Sequence, residues 1–99
     1  MAKKPIIWSV KAQQNRFEIL DYWIKRNKSK SYATQLFQLF KLATDLITEH
    51  PEIGKPTSQP GVRIKIVRDY LMFYEIQPHR IEILFIWDSR QNPENLPGF

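Results

Sequence analysis

Residues 62–94 hold three short runs rich in β-branched and aromatic residues, at 62–67, 70–77 and 81–87, parted by two brief polar turns. Strand formers at this spacing, with connections too short for a crossover helix, constrain the segment to an antiparallel meander. In the middle run Tyr70, Met72, Tyr74 and Ile76 face one way and Leu71 and Phe73 the other. Both faces are therefore at least partly covered, which places this run at the centre of a sheet.

The rest of the chain must supply the cover. Residues 6–10 read as a first strand, and Ser9 stands three residues before Ala12, where a helix N-cap is expected. A helix over 12–27 follows, with Phe17, Leu20, Trp23 and Ile24 on one face and Lys11, Asn15, Glu18 and Lys25 left wet. Residues 27–31 have no large apolar side chain and fit a tight connection. Ser31 offers a second N-cap, and Ala33, Leu36, Phe37, Phe40, Ala43 and Ile47 make the stripe of a second helix. Pro51 stops that helix near His50, because proline biases its predecessor away from α geometry and has no N–H to donate. Three prolines and two glycines between Pro51 and Gly61 predict an irregular surface loop. The expected fold is α+β in the order β-α-α-β-β-β, a four-stranded antiparallel sheet with a helical hairpin on one face. The other face is then the expected working surface.

A chain of 99 residues fits one small domain, 1–99, with a single core and no interdomain cleft. No apolar run reaches the roughly 18 residues of a membrane span, and Met-Ala-Lys-Lys-Pro leads into a strand rather than a signal-peptide core. The expectation is a cytoplasmic protein with no membrane association. Without cysteine, and with two distant histidines, neither a thiolate nucleophile nor a metal site is expected, and no cofactor motif occurs. The net charge of +5 suits a nucleic acid or an acidic protein partner. Its distribution is more telling: residues 1–62 carry ten Lys/Arg against five Asp/Glu, whereas residues 63–99 carry five of each. The excess lies outside the meander, with Lys25, Arg26, Lys28 and Lys30 clustered in one short segment.

Candidate binding residues nevertheless fall in the meander: Arg63, Lys65, Arg68, Tyr74, Asp88 and Arg90. Alternation puts Arg63 and Lys65 on one face with Val67, leaving Val62, Ile64 and Ile66 to point to the core. Two cations about 7 Å apart along a strand suit successive phosphates; equally, they suit a partner's carboxylates or plain outward alternation. Asp88, Ser89 and Arg90 sit where the last strand ends, and the Arg90 fork suits a phosphate, a carboxylate, or its own neighbour Asp88. Tyr70 and Tyr74 share a strand face, where an exposed ring would stack on a base and a buried one would be core. His50 and His79 read as surface or capping residues, and the three tryptophans as core or interface.

Beyond these residues, the ordered set Trp8-Ser9, Ile19-x-x-Tyr22-Trp23, Glu49-His50-Pro51-x-x-Gly54-x-Pro56, Val62-Arg63, Tyr70-Leu-Met-Phe-Tyr74, Ile81-Glu-Ile-Leu84 and Trp87-Asp-Ser-Arg90 resembles the RelE/ParE superfamily of bacterial type II toxin-antitoxin modules. The resemblance spans nearly the whole chain. It implies a growth-inhibiting toxin neutralised by a cognate antitoxin with an acidic or amphipathic segment. Apolar surface left exposed for that antitoxin predicts that the free chain self-associates, as a homodimer. RelE-like members cut mRNA on the ribosome without metal; ParE-like members poison DNA gyrase. On the RelE pattern Arg63, Lys65 and Arg90 match the catalytic basic positions. Leu71 stands where that pattern has an arginine, and no tyrosine follows Arg90 where it has one. The helical hairpin and the His-Pro-x-x-Gly-x-Pro loop look more like ParE. A non-toxic module that binds nucleic acid or an acidic peptide is the alternative from another class.

Overall fold

A computed structural model describes residues 3–91. The chain runs β1 (Ile6–Trp8), α1 (Val10–Asn27), α2 (Ser31–Glu49), β2 (Lys55–Pro56), β3 (Val62–Val67), β4 (Tyr70–Ile76) and β5 (Ile81–Asp88). The sheet has five strands in the order β1-β5-β4-β3-β2, not four. The added strand is β2, a two-residue piece of the proline-rich loop that pairs with β3 through Lys55 opposite Ile64 and Pro56 opposite Arg63. The sheet is also mixed rather than wholly antiparallel, because β1 lies parallel to β5 with Ile6 opposite Ile81. A first strand that leaves through a helical hairpin has room for such a parallel return, which a short turn would not give. β4 is central, as its two apolar faces require.

Ser9 sets the start of α1. Its backbone is extended and its hydroxyl accepts from the Ala12 N–H at 2.9 Å, while the same hydroxyl donates to the Leu84 carbonyl at 2.7 Å. The cap therefore ties α1 to β5. At Leu84 the register with β4 slips by one residue, so that Phe73 faces Phe85 while Tyr74 faces Ile83. This bulge lets Ile83 and Ile86 both turn to the helices, and the Ile86 N–H donates to the Asn15 side-chain oxygen at 3.0 Å. Asn15 thus serves the sheet instead of solvent.

The core lies between the hairpin and one sheet face: Ala12, Leu36, Phe40, Ala43 and Ile47 meet Val67, Tyr70, Met72, Tyr74, Ile81, Ile83 and Ile86. Two predicted helix positions depart from it. Phe17 and Phe37 are exposed, and Ile19 joins Leu20 and Trp23 on the packed face of α1. The direction of β3 also reverses the sequence expectation. Val67 enters the helix-side core, whereas Val62 and Ile64 pack with Phe73, Phe85, Leu71, Leu84 and Trp87 on the far face, and Ile66 is exposed. The far face is consequently apolar, and Arg63 and Lys65 share the helix side with Val67. Alternation fixes which residues share a face but not which face the hairpin covers.

Candidate functional site

The loop after α2 is organised by two side chains from the sheet. Tyr74 is fully buried; its hydroxyl donates to the Pro51 carbonyl at 2.7 Å and accepts from the Gly54 N–H at 2.9 Å. Burial pushes the phenol pKa up, so it remains a neutral donor. Arg63 then spans the same loop, with Nη1 donating to the carbonyls of Gly54 at 2.8 Å and Glu52 at 3.1 Å. Gly54 is required by this closeness: a Cβ there would stand 2.7 Å from both the Ile64 carbonyl and the Tyr74 hydroxyl. The Pro-x-x-Gly-x-Pro spacing is thus a loop shaped around a tyrosine and an arginine. As a surface for stacking, Tyr74 is withdrawn from solvent, and the Arg63 fork is committed to its own chain.

At the far end of β5, Arg90 and Asp88 form a two-pronged pair, Nε to Oδ1 at 3.0 Å and Nη2 to Oδ2 at 2.8 Å, with the Arg90 N–H adding a third bond at 2.9 Å. The guanidinium holds the Asp88 carboxyl below its ordinary range, and the carboxylate raises the arginine in turn. The Arg90 Cζ also lies 5.8 Å over the Trp23 ring. Trp23 donates from Nε1 to the Tyr70 hydroxyl at 2.8 Å, which ties α1 to the start of β4. A cleft of about 590 Å³ opens here between α1 and β5, lined by Lys11, Glu18, Tyr22, Trp87, Asp88 and Arg90 among others.

Lys65 and Arg68 belong to a different place. They line a groove of about 220 Å³ between α2 and β3 together with Leu39, Leu42, Ala43, Leu46, Ile66 and Val67, of which Leu42 and Ile66 are half exposed. The six sequence candidates therefore fall into three groups: Arg63 and Tyr74 on the loop, Lys65 and Arg68 on the groove, Asp88 and Arg90 at the cleft. Leu39, Leu42 and Leu46 escaped the sequence reading because they flank the core stripe of α2. Their own spacing of three and four residues was the available signal. Among the described residues no group of acidic, histidine or cysteine side chains is placed to hold a metal, and no helix is long and apolar enough to cross a membrane.

Comparison with known proteins adds the family. No curated protein matches the sequence. The solved structure of a chromosomal ParDE toxin-antitoxin system from P. aeruginosa superposes with a TM-score of 0.77 at 18% identity, over 89% of this chain and 98% of that one. The family model for the ParE toxin of the type II toxin-antitoxin system parDE matches residues 6–93. With that match running from β1 to beyond Arg90, the chain belongs to the ParE toxin family of type II toxin-antitoxin systems, and its partner is a cognate antitoxin.

Proposed function

We propose that this toxin arrests growth by ParE-like inhibition of DNA gyrase, and that its antitoxin lays an acidic amphipathic helix into the groove between α2 and β3. The observation that carries the target is the dispersal of the cations. A metal-free nuclease needs its basic groups converging on one phosphate, yet Arg63 is bound to the carbonyls of Glu52 and Gly54, Lys65 lines the α2 groove, and Arg90 is clasped by Asp88. Dispersed cations suit a binding surface better than a phosphoryl-transfer site.

The groove supports the second half of the reading. Its leucine lining matches the apolar stripe of a helix, and Lys65 and Arg68 stand where acidic residues flanking that stripe would lie. The exposed Leu42 and Ile66 in this groove are surface that an antitoxin would cover and that a free chain would bury by pairing with itself.

Induced expression in a susceptible cell, followed by mapping of DNA breaks and of mRNA 5′ ends, tests the target. Gyrase-dependent breaks without ribosomal A-site cuts are expected; A-site cuts with intact DNA would reject the gyrase reading. Lys65→Ala should weaken antitoxin capture while leaving DNA damage in place.

A further inference from the structure

The strongest concentration of unneutralised charge lies outside every site described so far, on the connection between α1 and α2. Lys25 and Arg26 occupy the last turn of α1, Lys28 is its C-cap, and Lys30 is the N-cap of α2. All four are exposed. Lys25 is 2.9 Å from Asp21, while among the described residues no carboxylate pairs with Arg26, Lys28 or Lys30. Elsewhere the cations are paired or stand singly: Lys3 is on Glu49, Arg80 approaches Glu82 at 3.9 Å and Arg63 is on loop carbonyls, while Lys4 and Lys55 are far from one another in sequence. The hairpin tip thus holds the densest run of cations along the chain, four within residues 25–30.

The tip is also shaped against its own backbone preference. Lys28 has φ 51 and ψ 34, the left-handed geometry at a helix end that glycine adopts without strain. A cation stands where glycine would be more stable. Just behind the tip, Trp23 and Tyr32 meet edge to face at 4.9 Å and Trp23 is bonded to Tyr70, so the projecting end rests on a rigid aromatic base.

We propose that the α1–α2 tip binds the phosphate backbone of duplex DNA. The segment 25–31 holds no large apolar residue, so an acidic amphipathic helix would find charge there but no apolar floor. A single strand would need exposed aromatic faces to stack upon; Trp23 and Tyr32 are half-buried against each other, and the exposed Tyr22 lines the α1–β5 cleft instead of the segment 25–31. A projecting point with four exposed cations, one of them shared with Asp21, fits a double-stranded backbone, read without sequence preference. The choice of DNA over duplex RNA rests on the gyrase reading, since gyrase holds its DNA as a duplex.

Purified toxin titrated into a short fluorescein-labelled DNA duplex, followed by anisotropy, tests this. Four phosphate contacts give a log–log salt slope of about −3.6, so affinity should fall roughly a hundredfold between about 50 and 200 mM salt. The quadruple variant Lys25→Gln, Arg26→Gln, Lys28→Gln and Lys30→Gln should flatten the slope. A charge-matched control with Lys4→Gln, Lys11→Gln, Lys41→Gln and Lys55→Gln should keep most of it. Thermal melts of both variants verify that each remains folded. Equal loss in the two variants, no binding at the lower salt, or tighter binding to duplex RNA overturns the proposal. A toxin that binds DNA through the tip yet causes no gyrase-dependent breaks refutes the gyrase reading instead.

Discussion

Tyr74 shows how one hydroxyl fixes a loop. Tyr74→Phe keeps the ring in the core but leaves the Pro51 carbonyl and the Gly54 N–H without their partner, a loss of about 1–3 kcal/mol for groups that become buried and unpaired. Urea unfolding should show a lower midpoint with an unchanged slope, and Gly54→Ala should be at least as damaging because its Cβ meets the Ile64 carbonyl at 2.7 Å. Asp88 makes a different test, through pH. Its folded pKa lies below the ordinary 3.8 because Arg90 bonds it, so its contribution is present above that value and is lost as pH falls through the lower folded one. Asp88→Asn should therefore reduce stability at neutral pH and narrow the difference between neutral pH and about pH 3, read from chemical denaturation at both. Both side chains are partly exposed, so solvent screening keeps this effect small.

At the scale of elements, Lys28 separates stability from binding. Lys28→Gly relieves the left-handed strain at the end of α1 and should stabilise the fold by about 0.5–1 kcal/mol, or roughly 3–6 °C in Tm. On the DNA reading the same change removes one phosphate contact, so the melting temperature should rise while the salt slope falls by about 0.9. The helices themselves were legible from sequence because Ser9, Pro51 and the three- and four-residue spacing of Leu36, Phe40, Ala43 and Ile47 are local signals. What escaped was set by distant partners. β2 exists only because Lys55 and Pro56 reach β3, the bulge at Leu84 only because Ser9 and Asn15 take up its backbone, and neither leaves a mark in its own residues. Arg63 illustrates the same limit for function. Its strand position was plain, whereas its commitment to the Glu52 and Gly54 carbonyls depends on where a loop from another part of the chain comes to rest.

Over the whole molecule, the cations invoked for binding lie apart, Lys65 and Arg68 at the groove, Arg90 at the cleft and residues 25–30 at the hairpin tip, so the proposed antitoxin and DNA contacts can be perturbed separately. The antitoxin should act as a stabilising ligand, because it binds the folded chain: at a free concentration of 100 times Kd the gain is about 2.7 kcal/mol, which for a chain of this size raises Tm by roughly 10–20 °C. Leu42→Glu puts a carboxylate on the apolar lining of the α2–β3 groove, where Leu42 is half exposed in the free toxin, so the fold should tolerate it. The expected result is a free toxin with nearly unchanged melting behaviour and a much smaller antitoxin-induced rise, while salt-dependent DNA binding at the tip persists. Light scattering of the same variant reports on self-association, which should diminish if the free chain pairs through this surface. A full antitoxin-induced rise in Leu42→Glu would remove the groove from the antitoxin interface and move the docking surface to the cleft between α1 and β5, whose lining shares no residue with the groove.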